Sequence, residues 1–70
     1  MPDKTSLYIG RKLQSIRQDK RLTQAEVAKR AGTKTNYYAK LERGEAVASL
    51  KMLEKVIKSL GAKSSDILPF

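Results

Sequence analysis

Asn36, Lys40 and Arg43 are spaced i, i+4 and i+7, which would place an amide, an ammonium and a guanidinium on one face of a helix. These side chains would extend along roughly 10 Å of that helix, with Thr35 and Tyr37 on either side. Hydrogen-bonding groups of these types match the base edges and phosphates of a DNA major groove. The stretch therefore predicts a helix that reads double-stranded DNA.

The polar groups on this face divide by what each would contact. Thr35, Asn36 and Lys40 are the candidates for base edges, because Asn suits adenine N6/N7 and Lys suits guanine O6/N7. The other polar groups beside them are candidates for phosphate or sugar contacts, which fix position without reading sequence: Lys34, Tyr37 and Arg43.

The chain lacks the residues that most enzymes and many metal sites need. It contains no histidine and no cysteine, so the commonest general base, nucleophile and metal ligands are missing. Its seven acids are scattered over charged helical surfaces. We therefore predict that the protein is not an enzyme, and that it has no catalytic residue, no metal site, no cofactor and no small-molecule ligand.

Two short helices are predicted on either side of Gly32. Thr23 and Glu26 have the spacing of a capping box, which begins the first helix. Gly32 suits the left-handed residue that ends it. The second helix follows within about three residues and ends at Gly44. Two helices joined so tightly must lie at an angle, so residues 23–43 predict a helix-turn-helix.

This segment resembles the Cro/C1-type helix-turn-helix family of phage repressors and small bacterial regulators. The resemblance rests on residues 24–28, Gly32, residues 41–44 and the Leu-x-x-Leu helix that follows, and it extends over residues 9–68. It implies a lambda-repressor-like fold, which is a compact all-α domain of five helices. The stretch around Tyr37 is also similar, more weakly, to the recognition helix of restriction–modification controller proteins.

Two residues depart from the family pattern. Lys34 stands where many members have a capping Ser or Thr, so Thr33 or Thr35 is expected to cap the second helix instead. Tyr38 replaces the usual Ile or Val, so the core must hold a larger ring and its hydroxyl.

The resemblance also implies roles for three further residues. Gln24 lies where this family clamps a phosphate, with the backbone N–H of a helix N-terminus assisting. Arg17 and Glu42 match an Arg–Glu pair of related repressors, and both are expected near the inward sides of their helices. The alternative is that each of these two side chains extends into solvent separately.

Apolar periodicity predicts three further helices around the motif. One covers residues 6–20 and contains Gly10, which should weaken it by about 1 kcal/mol relative to alanine. Another starts after Ser49 and carries the widest apolar face of the chain, beginning with Leu50. A last helical turn follows Gly61. All five helices should share one core: Leu13, Ile16, Val27, Tyr38, Leu41, Leu53, Ile57 and Leu60.

Length and charge restrict the class of protein. Residues 1–70 are expected to form one small domain, with residues 1–5 as a flexible arm. Lys and Arg outnumber Asp and Glu by 15 to 7, and the net charge of +8 favours a polyanionic partner. No apolar run approaches the ~20 residues that span a bilayer, and no signal-peptide pattern is seen. A soluble, cytoplasmic protein without membrane contacts is therefore expected.

The sequence predicts a transcriptional regulator that binds a palindromic operator as a homodimer. One recognition helix reads too few base pairs to select a site in a genome, and a second copy is the simplest remedy. An alternative function is a protein-interaction module, such as an antitoxin, that uses the same domain mainly to hold a partner protein. The dimer interface should use apolar residues left over from the core, unless the last two of them fold back over their own chain: Val47, Met52, Ile67 and Phe70.

Overall fold

Five α-helices form within residues 3–67, the part of the chain that the computed structural model describes. They are α1 (Lys4–Asp19), α2 (Gln24–Ala31), α3 (Thr35–Arg43), α4 (Leu50–Leu60) and α5 (Ser64–Ile67). No strand occurs between residues 3 and 67, which confirms the predicted all-α class with five helices. No helix in this range is both long enough and apolar enough to cross a membrane.

Local sequence determines where the middle helices begin and end. The Thr23 hydroxyl accepts a hydrogen bond from the Glu26 backbone N–H at 3.1 Å, and the Glu26 carboxylate accepts one from the Thr23 N–H at 2.9 Å. The hydroxyl of Ser49 caps α4 by accepting from the N–H of Met52 at 3.1 Å. Gly32 ends α2 with φ of 73°, a left-handed conformation in which a Cβ would be unfavourable.

The first helix begins two residues earlier than predicted. Asp3 caps it, because its carboxylate accepts a hydrogen bond from the Ser6 backbone N–H at 2.7 Å. Lys4 and Thr5 are consequently helical and do not belong to an arm. Residues 1–2, the rest of the predicted arm, lie outside the described residues.

One apolar core lies at the centre of the five helices. Of the eight residues predicted for it, Ile16 is half-buried against the core and the other seven are buried. Leu50 was expected on the apolar face of α4 but is 72% exposed, because this first residue of the helix points away from the core. The core also contains four residues that were not named for it: Ala28, Ala31, Val56 and Ile67.

The helices that carry the helix-turn-helix are held by α1 on one side and α4 on the other. α1 packs against α3, α3 against α2, and α2 against α4, while α5 contacts α1 and α4. A Cβ at Gly10 would lie 2.4 Å from the carbonyl oxygen of Leu41 and 2.5 Å from that of Glu42. Gly10 therefore allows α1 to lie directly on the backbone of α3, a role that helix propensity did not indicate.

Candidate nucleic-acid interface

The outer face of α3 carries the residues predicted to read bases. Thr35, Asn36 and Lys40 are all exposed, whereas Tyr38 and Leu41 on the opposite side of the same helix are buried. The structure thus brings the three polar side chains together on one exposed helical face. Their contact with DNA stays a prediction.

The residues on either side of this face differ in how far they are exposed to solvent. Tyr37 is half-buried and packs against the core, so part of its ring supports α3. Lys34 is exposed and is the residue that precedes the helix, but its side chain makes no capping hydrogen bond. Neither Thr33 nor Thr35 caps α3, contrary to the prediction, because the helix begins at Thr35 itself.

Arg43 is paired with a carboxylate that the sequence interpretation did not connect to it. Its Nε donates to Glu45 Oε2 at 3.0 Å, and both side chains are half exposed. The pair holds the pKa of Glu45 below its usual value. Because the pair is open to water and screened by salt, Arg43 can exchange Glu45 for a phosphate at little cost.

Arg17 on α1 forms an ion pair with Glu42 on α3. Its Nε lies 2.6 Å from Oε2 of Glu42 and its Nη2 lies 3.1 Å from Oε1. The remaining guanidinium nitrogen, Nη1, donates to the carbonyl oxygen of Leu22 at 2.8 Å. The geometry is that of the implied pair and not of two separately solvated side chains. It fixes α3 against α1 and against the segment that leads into α2.

Opposing effects act on the ionisation of this cluster. Burial raises the pKa of Glu42, but the polar groups around the carboxylate, above all the Arg17 guanidinium, outweigh burial and leave that pKa below its usual value. Glu42 in turn raises the pKa of Arg17. Tyr38 lies beside the pair, and burial raises the pKa of its hydroxyl far above the usual value. This hydroxyl has no hydrogen-bond partner within residues 3–67, which is the consequence of placing a tyrosine at this core position.

Gln24 occupies the first turn of α2, as the phosphate-clamp prediction requires, but its side chain is already engaged. Its Nε2 donates to Glu42 Oε1 at 2.9 Å. The sequence interpretation missed this contact, because the two residues are 18 positions apart and lie on different helices.

The four apolar residues predicted for a dimer interface are placed very differently. Val47 is 79% exposed in the loop before α4, whereas Met52 is half-buried against the core of its own chain. Ile67 is fully buried in that core, so its assignment to an interface is wrong and the fold-back alternative holds for it. The reason is that α5 packs its single large apolar residue against α1 and α4. Phe70 lies outside the described residues.

Groups that could hold a metal ion are not found in the described part of the chain, where no cluster of three or more acidic side chains occurs.

Two short helices joined by three residues, the second with one polar exposed face and one buried apolar side, define a helix-turn-helix domain. The helix-turn-helix family model matches residues 13–68. The chain belongs to this Cro/C1-type helix-turn-helix family, which is a family of DNA-binding transcription regulators.

Individual relatives agree with this family assignment. The immunity repressor protein of Bacillus phage phi105 is 35% identical over 62 residues, which are 89% of this chain and 43% of the repressor. Control protein C.BamHI of Bacillus amyloliquefaciens is 32% identical over an alignment of 71 positions, which covers 100% of this chain and 88% of that protein. This chain therefore spans only about two-fifths of the length of the phage repressor.

A solved structure shows the same architecture. The restriction–modification controller protein C.AhdI from Aeromonas hydrophila superimposes with a TM-score of 0.86 at 25% identity, over 90% of this chain and 96% of that one. The weaker resemblance to controller proteins is therefore also confirmed.

Proposed function

We propose that this chain is the DNA-reading domain of a sequence-specific transcriptional regulator, with α3 in the major groove of a duplex operator. The observation that carries the proposal is the exposed polar face formed by Thr35, Asn36 and Lys40 on a helix whose opposite side is buried. A helix anchored in this way offers hydrogen-bonding groups to base edges from a rigid support. Lys34, Tyr37 and Arg43 would then contact the flanking phosphates and sugars.

The distribution of charge supports a polyanionic partner. The protein has 15 basic and 7 acidic residues, and most of the acids accept hydrogen bonds within the chain. Five of them accept hydrogen bonds from the protein itself: Asp3, Glu26, Glu42, Glu45 and Asp66. The net charge of +8 attracts DNA and makes the affinity for any duplex fall with rising salt.

Base readers and phosphate binders should differ when each is removed. Asn36→Ala is expected to weaken binding by about 1–3 kcal/mol per half-site and to relax preference at one base pair. Arg43→Ala should weaken binding to all sequences about equally. It should also lower, by about one, the steepness with which the logarithm of the binding constant falls with the logarithm of the salt concentration. The measurement is selection of bound duplexes from a random pool, followed by titration of the selected duplex at several salt concentrations.

An Asn36→Ala variant that keeps both the affinity and the preference of the wild type would show that α3 does not read bases in this register. A wild-type protein that prefers no duplex, but that co-purifies with one protein at fixed stoichiometry, would favour the interaction-module alternative.

We further propose that the domain binds a palindromic operator as a homodimer, with half-sites about 34 Å apart. Val47 is the best-placed interface candidate, and the neighbouring Leu50 is exposed to a similar degree. Two large exposed apolar side chains that are only three positions apart in the chain are suited to burial against a second copy. Met52 and Phe70 remain candidates for the same interface.

Sedimentation at micromolar concentration, with and without the selected duplex, measures the dimer directly. Val47→Asp should shift the equilibrium towards monomer, whereas Tyr8→Ala should not, because Tyr8 is an exposed apolar residue elsewhere, on α1. A protein that stays monomeric both free and bound, on a site without two-fold symmetry, would contradict the proposal.

A further inference from the structure

Glu42 is a buried carboxylate that is held by donors from two other parts of the chain. It is 5% exposed, and it accepts two hydrogen bonds from Arg17 and one, at 2.9 Å, from the side-chain amide of Gln24. The same Arg17 binds the carbonyl oxygen of Leu22 just before α2 begins. Through these contacts the end of α3 is joined to the segment that precedes α2, and Glu42 holds the side chain of the first residue of α2.

The contact with Glu42 leaves part of the Gln24 amide free. A carboxylate only accepts hydrogen bonds, so the NH₂ group of Gln24 and not its oxygen must face Glu42. One N–H is used there and the second remains. Gln24 is half-buried at the edge of an open groove that Gln14 and Arg43 also line. The backbone N–H of Gln24, as the first residue of α2, has no acceptor within its own helix.

We propose that Glu42 is a positioning residue for DNA binding, which fixes the Gln24 amide so that its second N–H and the backbone N–H groups at the start of α2 bind one phosphate. The inference rests on the proposed DNA-binding function and extends it. A solvent-exposed glutamine would lose rotamer freedom on binding, whereas Gln24 is ordered in advance. Arg17 neutralises the carboxylate, so Glu42 can hold Gln24 without repelling the phosphate.

A purely structural role for the ion pair makes a different prediction. If Arg17 and Glu42 only joined α1 to α3, the contribution of Gln24 to DNA binding would not depend on them. The test therefore measures the effect of Gln24→Ala in two backgrounds: the wild type, and a variant with Arg17→Met and Glu42→Leu. Replacing a buried ion pair by apolar residues of similar size is often neutral for folding, and thermal melting checks this.

In the wild-type background, Gln24→Ala should weaken binding to every duplex about tenfold, because it removes a hydrogen bond to a charged group. In the apolar background the same substitution should change the affinity less than about twofold, because the amide is no longer oriented. In a third background, the single variant Glu42→Gln, Gln24→Ala should again weaken binding nearly as much as in the wild type. The reason is that the glutamine keeps a hydrogen-bond acceptor at the same place. Arg43→Ala is the matched control and should cost the same in both backgrounds, because Arg43 pairs with Glu45 and not with Glu42.

A second measurement needs no substitution. Nitrogen relaxation of the side-chain amides in the free protein should show Gln24 to be more rigid than the exposed Gln14 and Gln18. The Gln24 amide signal should also shift when duplex is added. A Gln24 amide as mobile as that of Gln14, or an equal loss for Gln24→Ala in both backgrounds, would overturn the inference. Failure of the proposed function looks different, because the wild type would then bind no duplex with preference.

Discussion

Gly10→Ala is expected to destabilise the domain by at least about 2 kcal/mol, although alanine favours helices more than glycine does. The new Cβ would lie 2.4 Å from the carbonyl oxygen of Leu41 and 2.5 Å from that of Glu42. Backbone atoms in the last turn of a helix cannot move aside like the end of a flexible side chain, so α1 and α3 must separate. The gain of about 1 kcal/mol in helix propensity is smaller than this overpacking cost.

Urea unfolding of the wild type and the variant measures the difference. Gly32→Ala is a useful control, because a Cβ there has no neighbour within 4 Å and meets only the cost of a left-handed conformation, about 1–2 kcal/mol. The two substitutions are chemically identical but act by different mechanisms. If Gly10→Ala is as stable as the wild type, α1 does not lie as close to α3 as this structure places it.

Gly10 also illustrates where the sequence was not informative. Its effect on its own helix could be predicted from propensity, but its close approach to α3 depends on how two distant segments pack. The capping box at Thr23, the end of α2 at Gly32 and the burial of Tyr38 were predictable, because each depends on residues a few positions away. Ile67 was misassigned because its burial depends on residues far away in the sequence. Nothing in the local pattern indicates which surface the last helix will cover.

The candidate site divides in the same way. The exposed face with Asn36 and Lys40 follows from the angle between residues of a single helix, so the sequence was sufficient to place these residues together. The contacts of Gln24 with Glu42 and of Arg43 with Glu45 could not be predicted, because a long side chain can reach several partners and only the folded backbone selects one. The composition of the exposed face was thus predictable, whereas the contacts that orient its neighbouring side chains were not.

Removal of Arg17 is expected to have the largest effect of any single charge in the domain. Arg17→Ala leaves Glu42 in a site where its side chain is 2% exposed, without the guanidinium that offsets its desolvation. Breaking a buried pair in this way typically costs about 3–5 kcal/mol. The Arg17 side chain is 13% exposed, so Glu42→Ala should cost less, because the remaining cation can reach water.

A double-mutant cycle on urea unfolding separates the coupling of the pair from the cost of each truncation. The matched cycle uses Arg43→Ala and Glu45→Ala, which remove an ion pair of the same type with both partners half exposed. The coupling there should be far smaller. Tyr38→Phe is a second control, because it removes a hydroxyl next to the pair that has no hydrogen-bond partner in the described chain. Equal coupling in the two cycles would mean that burial adds nothing to the Arg17–Glu42 pair.

The pH dependence of stability provides an independent test of the same pair. The pKa of Glu42 is lower in the folded protein than the usual value of about 4.3, so the folded state binds a proton less readily than the unfolded chain. The resulting stabilisation is complete above that usual pKa and is lost as the pH falls through the lower folded-state pKa. Glu42→Gln should therefore reduce the loss of unfolding free energy on acidification. Glu45→Gln should reduce it less, because that carboxylate is exposed and its pairing is screened. If the unfolding free energy of Glu42→Gln falls on acidification as much as that of the wild type, the Glu42 carboxylate is not stabilised by Arg17 in the folded protein.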